Sequence, residues 1–122
     1  MYKIAGYIAA LEIAGLLGFI AVSQTHELTS YRHLSLLIAF VAVAYVAYSG
    51  VKRISYKEIV YVAILASAIF VTVVQILGFV FYPGLAKGIA FLSWANATRT
   101  AVMLLVGMLG HILLLTVARM AR

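Results

Sequence analysis

Four apolar runs, at about residues 4–22, 34–50, 58–82 and 92–117, are each long enough, or nearly so, to carry a helix of roughly 20 residues across a ~30 Å hydrocarbon core. In lipid the backbone has no water to bond, so a spanning run must satisfy its own N–H and C=O groups, as a helix does. Only short segments separate the runs: a polar turn from Ser23 to Tyr31, a basic turn "VKRISYK" from Val51 to Lys57, and a link containing Pro83, Gly84 and Gly88. No room remains for a soluble domain. The chain therefore reads as a single all-α integral membrane domain over residues 1–122, an antiparallel four-transmembrane-helix bundle with short links joining neighbours. The polar stretch "SWANATRT" delays the apolar part of the fourth run to Ala101, and its outer turn reads as re-entrant or interfacial.

Composition bears on partners and on excluded chemistry. Residues are 66% hydrophobic and 10% charged, against about 25% charged in soluble domains. There is no cysteine, which excludes disulfides, thiolate-bound metals and iron–sulfur clusters. The first run carries Glu12 in its middle and no clear small-x-small cleavage site after it, so it reads as a retained helix. Lys3, Lys52, Arg53, Lys57, Arg119 and Arg122 would lie on one side and Arg32, Lys87 and Arg99 on the other. This bias favours both termini in the cytoplasm of a multi-pass cell-membrane protein. Cations divided between two faces do not suit nucleic-acid binding. No phosphate-cradling glycine loop or hydrolytic carboxylate pair is visible, and whether the chain is an enzyme stays open. Tyr31, Tyr82 and Trp94 would form the outer aromatic belt, and His26 beside Glu27 reads as a solvated turn residue.

Small residues recur every four positions along the first run at Gly6, Ala10, Ala14 and Gly18. This stripe is expected to be a helix–helix contact, with Gly107 and Gly110, and Ala63, Ala66 and Gly78, serving the later helices. The same pattern suits a homo-oligomer or a subunit of a larger membrane complex embedded in the bilayer.

Ionisable groups inside a span need a reason, because each costs at least ~2.5–3.5 kcal/mol at the centre. Counting the helical rise puts Glu12 roughly 13 Å and His111 roughly 10 Å above the inner boundary. A carboxylate and an imidazole at that depth satisfy one another, as a structural bond or as a proton-handling site. Gln75, roughly 25 Å up by the same count, belongs with Arg99 and His33 in an outer group. His111 and His33 thus lie too far apart in depth to ligate one haem together, while His33 alone remains an iron-ligand candidate.

Two stretches resemble known families. "SYRHLSLLIAF", carrying His33, and "VVQILGF", carrying Gln75 and Gly78, resemble the second and third helices of the amino-terminal half of the haem A synthase family, with "AGLLGFIAVSQT" of the first run matching less clearly. Ser30 stands where that family has a glutamate, and Arg32 precedes the histidine instead of following it. The resemblance implies a haem cofactor with His33 on the iron and Gln75 in the matching motif; the family's second histidine is absent near Thr98, Arg99 and Thr100, and the Arg99 guanidinium by its own chemistry suits a haem propionate. The stretch "AALEIAGLLG" looks like the opening helix of small multidrug resistance transporters. That likeness implies that Glu12 exchanges protons for a cationic substrate. The expectations are a haem-associated or respiratory-chain protein (a haem A synthase-like half, a b-type cytochrome or a small oxidase-complex subunit), a proton-coupled small transporter, or a structural subunit of a membrane complex.

Overall fold

A computed structural model describes residues 2–24, 27, 29–81 and 94–121. His26, Tyr82, Lys87, Arg122 and the Pro83 to Gly88 link lie outside these residues, as does the side chain of Trp94. The described chain holds four helices: α1 (Tyr2–Ser23), α2 (Arg32–Gly50), α3 (Tyr56–Phe81) and α4 (Trp94–Met120). All four are long and apolar enough to cross a membrane.

Their boundaries are set by polar residues that hydropathy alone passes over. At α3, Ser55 Oγ accepts from the Glu58 backbone N–H at 3.3 Å while Glu58 Oε1 accepts from the Ser55 N–H at 3.3 Å. This reciprocal capping box satisfies two orphan donors and starts the helix at Tyr56, two residues before the apolar run. Likewise α2 begins at Arg32, so His33 lies within its first turn. The polar "ANATRT" stretch continues α4 as regular helix from Trp94 and forms no separate re-entrant turn.

The helices close into a ring in the order α1, α2, α4, α3, with α2 and α4 the most sparsely packed neighbours. Ile4 meets Gly50 at one end of the α1–α2 pair, and Gly18 meets Ser35 towards the other, so these helices run antiparallel. On the opposite side, Ser67 meets His111 and Gln75 meets Thr100, which makes α3 and α4 antiparallel too. One expectation is corrected here: α2 and α3 are not neighbours, and the link between them crosses the bundle's end on the diagonal. A crossing link buries backbone, and backbone carbonyls need donors. Val51 and Ile54 are 0% and 2% exposed and form the floor of the core, which continues through Ala5, Ala47, Ile59 and Leu115. Arg119 at the end of α4 donates Nη1 to the Val51 carbonyl at 3.3 Å and to that of Ile54. We call this the link end.

The predicted stripe of Gly6, Ala10, Ala14 and Gly18 is corrected in part: Gly18 makes the expected contact with α2. Ala10 and Ala14 are exposed, and Gly6 has nothing within 4 Å of where a Cβ would stand. The face of α1 that is buried carries Ala5, Ile8, Ala9 and Gly15. Gly15 lies against Ala39, and Gly18 against Ser35, whose Oγ donates to the Gly15 carbonyl at 3.0 Å. Close backbone approach thus occurs at Gly18, the last member of the predicted stripe, and at Gly15 beside it, while Ala10 and Ala14 stay exposed. Ala63 and Ala66 are fully buried on α3, whereas nothing lies within 4 Å of a Cβ placed on Gly78 or Gly110.

Candidate functional site

Three helices each contribute one polar side chain at nearly the same height. Glu12 is ten residues from the start of α1, Ser67 eleven from the start of α3 and His111 nine from the end of α4 (12−2, 67−56 and 120−111). At 1.5 Å per residue, all three lie about 13–17 Å from the link end. His111 Nε2 is 2.7 Å from Glu12 Oε1, and its Nδ1 is 2.9 Å from Ser67 Oγ. The first of these bonds runs across the diagonal of the ring, from α1 to α4.

Neighbouring residues make the cluster possible. A Cβ on Gly107 would sit 3.2 Å from Ser67 Oγ, so a glycine one turn before His111 leaves α3 room to bring its hydroxyl in. The ring's two nitrogens then have complementary partners. With His111 neutral, Nε2–H donates to the carboxylate and Nδ1 accepts the serine hydroxyl; with it protonated, Nδ1–H donates to the serine oxygen instead. Ser67 serves both states because a hydroxyl rotates.

Exposure differs between the partners. The His111 side chain is 8% exposed and that of Glu12 28%, and the difference opens onto a cavity of about 390 Å³. Its walls are apolar and aromatic, including Leu16, Leu36, Phe40, Phe70 and Leu114, with Glu12 and His111 as the ionisable lining groups. Leu36, Phe40 and Gly110 on its rim are exposed, so it opens sideways through the loose α2–α4 seam. A concave apolar pocket of this size with a few convergent polar groups is the usual form of a small-molecule site.

The outer candidates lie elsewhere. Gln75 Nε2 donates to Thr100 Oγ1 at 2.6 Å, and Arg99 Nη2 donates to Asn96 Oδ1 at 2.8 Å. Gln75 is 8% exposed, and its Oε1 has no hydrogen-bond partner among the described residues. His33 is exposed, its ring tilted against Phe19 with centroids 5.8 Å apart. Gln75 thus bonds across from α3 to α4, Arg99 bonds Asn96 within α4, and His33 packs on α1. Both nitrogens of His111 are engaged, which leaves none to offer an iron. Among the described residues no three His, Cys, Asp or Glu side chains gather to hold a metal ion.

Ser67 and Arg119 are buried or inward-turned polar groups that hydropathy hides. A serine in an apolar helix looks ordinary, yet the height count that pairs Glu12 with His111 picks out Ser67 as well. Arg119 looks like a topology charge, and only the crossing link shows why it turns inward. Comparison with family models, curated proteins and solved structures finds no match for the chain.

Proposed function

We propose that this chain is a multi-pass cell-membrane protein, its link end facing the cytoplasm, that exchanges protons for a lipophilic cation at Glu12, His111 and Ser67. One observation carries the reading: the hydrogen-bonded pair Glu12 and His111, backed by Ser67 behind the ring, forms the polar wall of an apolar cavity that opens sideways. The orientation rests on the five cations Lys3, Lys52, Arg53, Lys57 and Arg119 at the link end.

The exchange follows from charge. Holding one proton between them, Glu12 and His111 are together neutral; without it the pair carries one negative charge, shared across a 2.7 Å contact. In a low-dielectric cavity a cation near Glu12 favours the deprotonated state, and protonation expels the cation. By linkage the two effects are equal in size. Phe40 and Phe70 supply π faces for a quaternary ammonium, which has no N–H to donate. Ser67 holds the imidazole in place whichever state it occupies.

The test is transport in acid-loaded proteoliposomes given external ethidium. The wild type should raise internal pH as dye enters, and Glu12→Gln, which keeps the shape and one acceptor, should abolish both while leaving helicity and detergent elution unchanged. Equal proton release by wild type and Glu12→Gln would sink the reading. Inert wild type would leave the cluster a packing device of a structural subunit.

A further inference from the structure

The link end holds a second recess, of about 280 Å³, lined by Val51, Lys52, Tyr56 and Arg119. It stands apart from the proton chemistry and requires only that this end lie at a membrane surface. Arg119 is fixed there. Nη1 is taken by the carbonyls of Val51 and Ile54, and the guanidinium carbon lies 4.6 Å from the centre of the Tyr56 ring. Two carbonyls and a ring orient the group without cancelling its charge, since none is formally negative. The planar fork keeps donors on Nη2 and Nε for a further partner, in the geometry that suits a phosphate.

The surroundings are positive. Lys52 lines the same recess, Lys3, Arg53 and Lys57 are exposed at the same end, and the local carboxylate, Glu58, is engaged in capping α3. From the recess an exposed apolar track runs along one face of α3 through Tyr56, Val60 and Ile64, spaced four apart. A free phosphate would use the cations and ignore the track, whereas a phospholipid uses both. We propose that the recess binds the phosphodiester headgroup of an anionic phospholipid, with acyl chains lying along the Tyr56–Val60–Ile64 face. Basic pockets at helix ends on the cytoplasmic side are suited to such headgroups.

The experiment is thermal unfolding of the whole chain in mild detergent, titrated with phosphatidylglycerol, phosphatidylcholine or inorganic phosphate at equal concentrations. Phosphatidylglycerol should raise Tm and the other two should not. Lys52→Gln, which disturbs no backbone contact, should weaken the apparent affinity about fivefold, the effect of one cation near an anionic surface. Lys3→Gln, at the same end but outside the recess, should weaken it less than about twofold. Arg119→Gln should abolish the shift, and if it fails to fold, Lys52→Gln decides. The proposal is overturned by an equal shift with phosphatidylcholine or inorganic phosphate, or by equal losses in Lys52→Gln and Lys3→Gln.

Discussion

Gly15→Ala should weaken the bundle sharply, although alanine is the better helix former. A Cβ built on Gly15 collides with the Cβ of Ala39, and the Ser35 carbonyl oxygen is 3.7 Å away. Neither alanine has a rotamer to change, so relief requires the helices to part by about 1 Å to regain an ordinary carbon–carbon separation. That shift stretches the 3.0 Å bond from Ser35 Oγ to the Gly15 carbonyl beyond useful length. Overpacking costs about 1–3 kcal/mol, and a lost interhelical hydrogen bond in a membrane adds roughly 0.6 kcal/mol. Less the roughly 0.4–1 kcal/mol that any Gly→Ala change gains through reduced unfolded-state freedom, the net loss is about 0.5–3 kcal/mol. Gly6→Ala supplies the contrast, because nothing lies within 4 Å of its new methyl group. It should be neutral or up to about 1 kcal/mol stabilising, through reduced unfolded-state freedom. Both can be read by titrating the protein from mild detergent into SDS and following helicity and gel mobility. If Gly6→Ala is the damaging change and Gly15→Ala is silent, the α1–α2 contact uses the Gly6/Ala10/Ala14 stripe and the packing described here is wrong.

Other substitutions separate local roles. Ser67→Ala removes one bond to His111 and should destabilise by about 1 kcal/mol in the same SDS titration; no change would mean that Ser67 is not engaged with the ring. Gln75→Leu should lie within about 1 kcal/mol of wild type, since the Thr100 hydroxyl can bond the carbonyl of its own helix four residues back, whereas Gln75→Glu should cost more, with the span-centre value of about 2.5 kcal/mol as its upper bound because the position lies near the outer boundary. Loss of stability in Gln75→Leu as large as in Gln75→Glu would show that the amide itself is needed. His33→Ala removes an exposed ring contact and should alter stability by no more than about 0.5 kcal/mol. A Soret band in the purified wild type that disappears in His33→Ala would overturn the absence of haem from the proposed function.

How much of this was legible in the sequence varies with the kind of force involved. Four spans follow from apolar length, because lipid leaves a backbone no other choice. The contact of Glu12 with His111 could be anticipated because height along a helix is fixed by residue number and each group needs a partner. Helix starts were displaced by two residues at α2 and α3, since Arg32 is polar but helical and the Ser55–Glu58 box starts α3 on polar residues. The Ser-x-x-Glu signature was in the sequence to be used. What could not be read was the ring order. Small residues report that a face permits close approach without saying which face finds a partner, and a five-residue link allows either an edge or a diagonal crossing.

That diagonal crossing also decides how the site can be reached. Because the link passes beneath the core, Val51 and Ile54 close the link end, and Arg119 ties the closure to α4. Along the α1–α2 seam, Gly15 and Gly18 hold the two backbones against Ala39 and Ser35, and the recess beside them is lined by neither Glu12 nor His111. Between α2 and α4 there is no such lock, and the cavity rim there carries Leu36, Phe40 and Gly110. A molecule dissolved in the bilayer would therefore meet Glu12 by parting the one seam that is already loose. Its path crosses apolar and aromatic surface until the last step, where the carboxylate held by His111 is the first charge it encounters. A hydrophilic cation has no such path. On the exchange proposed above, the geometry that buries the pair would admit a lipophilic cation ahead of a hydrophilic one.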